Sequence, residues 1–181
     1  MACRHKLKSY LKLERLDFEP TTLIVVTFNP SWPEGNNAEW FYGRTHDEHG
    51  NQNNNFWDVL PRLYGEPSLI NSNHIGWKQF CHNKQIAITD IIQSIDDADN
   101  QIPAHVTIMG GYSDEDIENN FYDFELTNLV RLVRTHPTIT NVYVTRSLKP
   151  LITPSGFAFR EQAKYNRLSP NTQLNLPDLL R

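Results

Sequence analysis

Short apolar runs alternate along the chain with segments of helical periodicity. The runs at residues 23–28, 86–89 and 141–145 are mostly apolar or β-branched, which is typical of buried strands. Between them, apolar residues recur at helical spacing over residues 56–64 and 73–82. Because strands that alternate with helices form layered structures, the pattern predicts an α/β fold around a mainly parallel sheet.

Three further segments have weaker patterns. Residues 5–16 place leucines near helical spacing and predict a first amphipathic helix. A short strand is predicted at residues 106–109, and one long amphipathic helix at residues 116–135. Pro61 lies past the first turn of the helix predicted at 56–64, so we expect a kink there or two short pieces.

Length and composition narrow the class of protein. The 181 residues, of which 39% are hydrophobic and 21% charged, predict one domain over residues 1–181 and exclude a disordered chain. No apolar run approaches the roughly 20 residues of a membrane helix, and the N-terminus lacks the apolar stretch of a signal peptide. We therefore expect a soluble, cytoplasmic protein. The two cysteines, Cys3 and Cys81, are too few for a disulfide framework or a four-thiolate zinc site.

Charge is distributed unevenly along the chain. The net charge is -4, which by itself argues against a polyanionic partner. However, residues 1–19 carry 5 basic and 3 acidic side chains, residues 20–130 carry 4 and 16, and residues 131–181 carry 8 and 2. A basic C-terminal third on an acidic body indicates a protein that meets a polyanion with one face. Solvated helix faces are the alternative explanation.

Candidate chemistry begins where the predicted strands end. Asn29, Asp90 and Arg146 follow strands, at the edge where ligands of open α/β sheets bind. The neutral amide of Asn29 can orient a water molecule, although an Asn-Pro pair also forms turns. The aromatic run at residues 40–42 offers a ring on which a planar base could stack, and we favour Tyr42. Core packing is the competing role for these rings.

Other motifs point away from common enzyme classes. The two histidines and two acids at residues 46–49 could bind a metal, but a solvated loop fits four consecutive residues better, so we expect no metal and no cofactor. The acidic runs at 96–99 and 114–118 fit a solvated turn and a helix N-terminus. No Walker loop, GxGxxG or Ser-His-Asp order is present, which disfavours enzymes of nucleoside triphosphates or dinucleotides.

Several segments together resemble the uracil-DNA glycosylase superfamily. LIVVTFNPS at 23–31 resembles the mismatch-specific branch, whose first motif has the form GINPG. WFYGRT at 40–45 and NNFWDVLPRLYGE at 54–66 resemble the hypoxanthine-type branch and its FYYGHPRNRFW pattern, here divided by an insertion. The segments at 86–99 and 122–145 are similar to the strands and helix that follow in that branch. The resemblance thus covers most of residues 23–145.

The resemblance implies a three-layer α/β/α sandwich with a central, mainly parallel four-stranded sheet. It also implies a monofunctional enzyme that flips a deaminated or mismatched base, uracil or hypoxanthine, out of DNA and hydrolyses its N-glycosidic bond. Asn29 or Asn54 would hold the attacking water, and the base would stack on Tyr42 or Phe41. The residues implied for base binding are Phe28, Pro30, Ser31, Phe41, Tyr42 and Gly43.

The second motif of the superfamily has two possible placements. TPSG at residues 153–156 is similar to the mismatch-specific NPSGLSR form, and residues 168–171 are the rival. The first placement implies a wedge at 155–157 that fills the vacated base stack, with nearby cations on phosphates. The DNA-binding residues are then Arg146, Thr153, Pro154, Ser155, Gly156, Phe157, Arg160 and Lys164.

The same residues indicate the expected partner and two alternative functions. The expected partner is double- or single-stranded DNA containing a damaged base. Because the sequence has no heptad repeat and no obvious apolar patch for a second copy, we expect a monomer. We expect no membrane binding. A catalytically inactive nucleic-acid-binding protein of the same fold is the first alternative. An enzyme of free nucleosides or nucleotides, which the net negative charge favours, is the second.

Overall fold

The computed structural model describes residues 1–33 and 35–145 of the chain, together with the backbone of residues 173–175. The helices and strands occur in an alternating order. Along the chain they are β1 (Cys3–Arg4), β2 (Thr22–Val26), α1 (Phe56–Leu63), α2 (His74–Asn83), β3 (Ile86–Asp90), β4 (Ile92–Ile95), α3 (Pro103–Gly111), α4 (Asp114–Asn120), β5 (Phe124–Leu126), α5 (Leu129–Thr135), β6 (Asn141–Val144) and β7 (Gln173–Asn175).

The larger sheet has the strand order β3-β2-β6-β7. β2 lies between β3 and β6 and is parallel to both, with Thr22 opposite Ile86 and Val26 opposite Asp90. β7 pairs with β6 in the antiparallel direction, so parallel pairing joins three strands. The mixed α/β class predicted from the sequence is confirmed.

Successive residues of β2 enter two separate apolar clusters. Leu23 and Val25 belong to a cluster that includes buried residues of α3, α4 and α5. Ile24 belongs to a second cluster, which includes buried residues of α1 and α2. Because the side chains of a strand alternate between its two faces, β2 connects both clusters and is the centre of the core.

The elements with the clearest sequence patterns are confirmed to within two residues. They are β2, β3, β6, α1 and α2. The side chain of Asn73 caps α2 by accepting hydrogen bonds from the amides of Ile75 and Gly76, which satisfies two donors that a helix start leaves unpaired. None of the helices in the described ranges is long and apolar enough to cross a membrane.

A second, antiparallel sheet has the order β1-β4-β5 and is absent from the sequence prediction. Only Ile91 separates β3 from β4, so the chain passes from one sheet into the other at that residue. The amide of Ile91 donates to the carbonyl of Val26 at 3.0 Å, and its carbonyl accepts from the amide of Thr127 at 2.7 Å. The carboxyl end of β3 is therefore held by both sheets.

The predicted helix at residues 5–16 is wrong. The chain there leaves β1, passes through a 3-10 helix at Lys8–Tyr10 and continues in turns. The amide of His5 donates to the carbonyl of Gln93 at 2.8 Å, which extends the pairing of β1 with β4. Leu11 is fully buried without a helix. Strand pairing at a distance of about ninety residues outweighs the local periodicity.

Two further predictions are wrong. Residues 106–109 are helical and lie within α3, which begins at Pro103, a position where the missing proline amide removes no helical hydrogen bond. The helix predicted at 116–135 is divided into α4 and α5 by β5, where Phe124 pairs with Ile95 of β4. β5 pairs with the backbone N–H and C=O groups on the edge of β4. A continuous helix at 116–135 would leave those groups unpaired.

α1 continues through Pro61, where the sequence predicts a kink or two pieces. A proline inside a helix leaves the carbonyl four residues earlier without its helical donor. That carbonyl belongs to Trp57, and the amide of Leu69 donates to it at 2.8 Å. The segment after α1 thus replaces the hydrogen bond that Pro61 removes.

Phe121 and Tyr122 provide a matched test of this core. Phe121 is 1% exposed and belongs to the cluster of α3–α5, whereas its neighbour Tyr122 is 53% exposed. We expect Phe121→Ala to lower the free energy of unfolding by about 3–5 kcal/mol and Tyr122→Ala to lower it by less than about 1 kcal/mol. Urea unfolding followed by fluorescence measures both, and equal losses would contradict the break between α4 and β5.

Candidate functional site

The carboxyl ends of the parallel strands open into a pocket of about 440 Å³. Residues 27–29 after β2, Asp90 at the end of β3 and Thr145 after β6 contribute to its lining. Residues 41–44 line a further part, and we call the loop of residues 40–45 that contains them the aromatic loop. The position is the one at which open α/β sheets bind ligands, and the volume is within the usual range for small-molecule sites.

Asp90 places a buried carboxylate in this pocket. The residue is 2% exposed, and its Oδ2 lies 2.5 Å from Nε2 of His5, whose side chain is completely buried. The other carboxylate oxygen, Oδ1, is buried and has no hydrogen-bond partner among the described residues. Such an atom is rare in native proteins because leaving it unpaired is costly.

The backbone fixes the tautomer of His5. The amide of Leu7 donates to Nδ1 of His5 at 2.8 Å, so Nδ1 carries a lone pair and the ring proton is on Nε2. A second proton, on Nδ1, would point at the Leu7 amide. Nε2 consequently donates to Asp90, whose carboxylate is the acceptor of this hydrogen bond.

Three segments hold the His5–Asp90 pair. β1 pairs with β4 so that Arg4 lies opposite Ser94, and this register places His5 beside the end of β3. The hydroxyl of Thr127, after β5, donates to the backbone carbonyl of Asp90 at 2.6 Å. The pair thus depends on the antiparallel sheet, which the sequence pattern did not reveal.

Tyr42 forms an aromatic wall of the pocket. Its ring is stacked on Phe56 with centroids 4.1 Å apart, and its hydroxyl donates to Thr145 at 2.9 Å. Burial raises the pKa of Tyr42, the hydrogen bond to Thr145 opposes this rise, and the negative charge of Asp90 adds to it. One face of the ring is covered by Phe56, so the wall is held in a fixed orientation.

Phe41 and Phe28 complete the aromatic surroundings. Phe41 is 2% exposed, and its backbone carbonyl accepts from the indole N–H of Trp57 at 3.0 Å. The half-buried ring of Phe28 meets the ring of His5 edge-to-face at 5.6 Å. Core packing is therefore the main role of Phe41, while Phe28 lies between the pocket and the buried histidine.

The side chain of Asn54 holds the aromatic loop against the start of α1. Its Nδ2 donates to the carbonyls of Arg44 at 2.8 Å and Tyr42 at 3.4 Å, and its Oδ1 accepts from the amide of Phe56 at 3.2 Å. These bonds join the two sides of the insertion at residues 46–53. Asn54 lines the pocket, but each of its polar atoms already has an internal partner.

Asn29 lies at the same edge and is half-buried. Its Oδ1 accepts from Nδ2 of Asn36 at 2.7 Å, and its backbone carbonyl accepts from the amide of Lys6 at 2.8 Å. The buried Asn36 also donates to the carbonyl of Pro30. An amide oxygen has two lone pairs, so Asn29 retains the capacity to accept one further hydrogen bond.

Arg44 and Tyr112 form a pair at the pocket that the sequence analysis missed. The guanidinium carbon of Arg44 lies 3.2 Å from the ring centroid of Tyr112, in a cation–π contact. Burial lowers the pKa of Arg44, an effect that Tyr112 opposes, and burial raises the pKa of Tyr112, an effect that Arg44 opposes. No ion pair between described residues includes Arg44, which is the single basic residue of the described lining.

The predicted site residues divide into three groups. Those that line the pocket are Phe28, Asn29, Phe41, Tyr42, Gly43 and Asn54. Pro30 is buried and Ser31 is exposed, and neither is part of the lining. The remaining predictions lie outside the described residues, namely Arg146, Thr153, Pro154, Ser155, Gly156, Phe157, Arg160 and Lys164.

The loop at residues 46–49 forms a hydrogen-bonded turn. Oδ1 of Asp47 accepts from the amides of His49 at 2.9 Å and Asn51 at 2.7 Å. In the ranges that the structure describes, no group of three or more His, Cys, Asp or Glu residues could hold a metal ion.

Comparisons with protein-family models, curated proteins and solved structures found no match. The resemblance to uracil-DNA glycosylases therefore stays a prediction.

Gly43 allows the aromatic loop to pack closely. A Cβ atom at this position would lie 2.8 Å from the carbonyl oxygen of Trp40 and 3.2 Å from the ring of Trp77. We expect Gly43→Ala to lower the free energy of unfolding by about 1–3 kcal/mol. Gly35→Ala, where a Cβ atom meets nothing within 4 Å, is the control and should change it by less than about 0.5 kcal/mol. Denaturant unfolding checks both, and a neutral Gly43→Ala would refute the packing argument.

Proposed function

We propose that the chain is a DNA N-glycosylase, which takes a deaminated or mismatched base into this pocket and hydrolyses its bond to deoxyribose. The observation that carries the proposal is the combination of an aromatic wall with a buried polar acceptor in one pocket of about 440 Å³. Base-excising enzymes hold a flipped base in this way, between aromatic side chains and groups that read its edge.

The reaction requires little from the protein beyond placement of a water molecule. The bond from C1′ to the base nitrogen breaks, the water oxygen bonds to C1′, the water loses a proton and the departing nitrogen gains one. The transition state resembles an oxocarbenium ion, which oriented dipoles and nearby negative charge stabilise. Asn29 is the better candidate to orient the water, because the amide of Asn54 is occupied by the aromatic loop.

The charge of the pocket suits a base more than a phosphate. Two acidic residues, Asp90 and Asp114, and one basic residue, Arg44, contribute to its described lining. A neutral base can enter beside a buried carboxylate, whereas a phosphate would be repelled from it. The DNA backbone would then contact Arg44 and the basic residues predicted for DNA binding, Arg146, Arg160 and Lys164.

The proposal includes a three-layer architecture for the fold. Buried residues of α1 and α2 share one apolar cluster with Ile24, and those of α3, α4 and α5 share the other with Leu23 and Val25. This distribution supports a three-layer α/β/α sandwich of the glycosylase type, with the pocket at the strand ends.

An inactive nucleic-acid-binding protein is the second candidate function. It is favoured by the internal hydrogen bonds of Asn54, which is one of the two residues that the resemblance offers for catalysis. If Asn29 does not orient water, the pocket could still bind a flipped base without cleaving it.

A single-turnover assay on labelled duplexes tests the proposal. The duplexes carry uracil, hypoxanthine or a G·T mismatch, and alkaline cleavage reveals abasic sites. We expect wild-type protein to cleave at least one lesion and Asn29→Ala to slow cleavage by about 100-fold or more while retaining DNA binding, since positioned polar groups contribute at this level. Asn54→Ala should reduce both stability and rate.

Asn119→Ala, on the exposed part of α4, is the matched control and should cleave at the wild-type rate. Wild-type binding that leaves every lesion intact would refute the glycosylase and support the inactive binder. Binding of free nucleosides that is insensitive to salt, without salt-sensitive DNA binding, would instead indicate a nucleoside enzyme.

A further inference from the structure

We propose that Asp90, oriented by His5, reads the bound base by accepting a hydrogen bond from a ring N–H, and so selects deaminated bases against adenine and cytosine. The inference rests on the proposed function for the identity of the ligand as a base. Its structural basis is separate, because it depends on the buried pair and not on the water-orienting residue.

The two carboxylate oxygens of Asp90 differ in their hydrogen bonding. Oδ2 receives the hydrogen bond from Nε2 of His5, whereas Oδ1 is buried without a partner among the described residues, and Asp90 belongs to the lining of the pocket. Both side chains are at least 97% buried, so bulk water does not solvate the free oxygen. A bound ligand that donates to Oδ1 removes the cost of this unpaired acceptor, which makes such a ligand favourable.

The depth of Asp90 indicates which part of a nucleotide meets it. Oδ1 has almost no accessible surface, whereas Asn29 and Asn54 of the same lining are half-buried. In a flipped nucleotide the sugar stays near the entrance and the far edge of the base reaches the deepest point. Asp90 therefore contacts the edge of the base, while the half-buried amides lie nearer to the glycosidic bond.

The fixed tautomer of His5 defines what Asp90 can recognise. Because Leu7 donates to Nδ1, the Nε2 proton of His5 always points to Asp90, which leaves Oδ1 as an acceptor. Hypoxanthine and uracil carry an N–H at the ring position where adenine and cytosine carry a lone pair. A lone pair placed against Oδ1 is repelled, and an N–H forms a charge-assisted hydrogen bond.

Asp90→Asn should invert this preference. The amide oxygen of the introduced side chain accepts the His5 proton, which turns its NH₂ group toward the base. The pocket then presents a donor where it presented an acceptor, and this donor matches the ring nitrogen of adenine or cytosine. The change is nearly isosteric, so the volume of the pocket is preserved.

Single-stranded oligonucleotides are the probes, because they remove the cost of opening a base pair. One series carries hypoxanthine, 1-methylhypoxanthine or adenine, and a second carries uracil, 3-methyluracil or cytosine. We expect wild-type protein to bind the unmethylated deaminated base of the series that fits about 10- to 100-fold more tightly than the other two members. Dissociation constants come from fluorescence anisotropy, and single-turnover rates are measured on the same oligonucleotides.

Matched variants separate recognition from folding. Asp123→Asn, on an exposed residue outside the pocket, should behave as wild type. Asp90→Asn should bind the adenine or cytosine member best. His5→Gln, which keeps an N–H donor, should retain more of the wild-type preference than His5→Leu, which removes it. A residue with only a structural role would change affinity for all members without changing their ratio.

The outcomes distinguish the two proposals. Cleavage of lesion DNA with equal affinity for methylated and unmethylated bases would overturn the reading by Asp90 and leave the glycosylase intact. Preferential binding that Asp90→Asn inverts, without any cleavage, would support the reading and overturn the glycosylase. Absence of both cleavage and preference would overturn both.

Discussion

The pairing of the N-terminal strand with β4 is the interaction on which the site depends. β1 is two residues long, yet its register carries His5 to the end of β3, where Nε2 meets Asp90 at 2.5 Å. Without it, a carboxylate that is 2% exposed would lose the one side-chain donor that the described residues give it. Breaking a buried hydrogen-bonded pair by removing one partner is strongly destabilising, so the first residues of the chain are part of the core.

Local patterns predicted the parallel part of the fold and missed the antiparallel part. β2, β3 and β6 are nearly continuous apolar runs, a signal contained within each segment. β1 and β5 have no such signal, since they are short and their stability comes from pairing with β4. The leucines of residues 5–16 and the apolar spacing of 116–135 suggested helices because periodicity records burial and not the partner that provides it.

For the same reason, the sequence predicted only part of the candidate site. Phe28, Asn29, Tyr42 and Asn54 lie next to recognisable strand ends or motifs, and all four line the pocket. Nothing in the sequence connects His5 to Asp90, which are separated by 85 positions. Nor does it connect Arg44 to Tyr112, whose left-handed backbone at the end of α3 follows a segment predicted to be a strand.

A buried carboxylate oxygen that has no donor among the described residues is difficult to explain by stability. Folding would be favoured by a second donor beside Asp90 or by an apolar residue in its place, because burial penalises an unpaired acceptor. The described residues instead supply one donor, from His5, to Oδ2 and a hydrogen bond from Thr127 to the backbone carbonyl, and they leave Oδ1 without a partner. Proteins that break a local rule in this manner usually do so at functional positions. The unmet hydrogen bond is thus best understood as the one that a ligand completes.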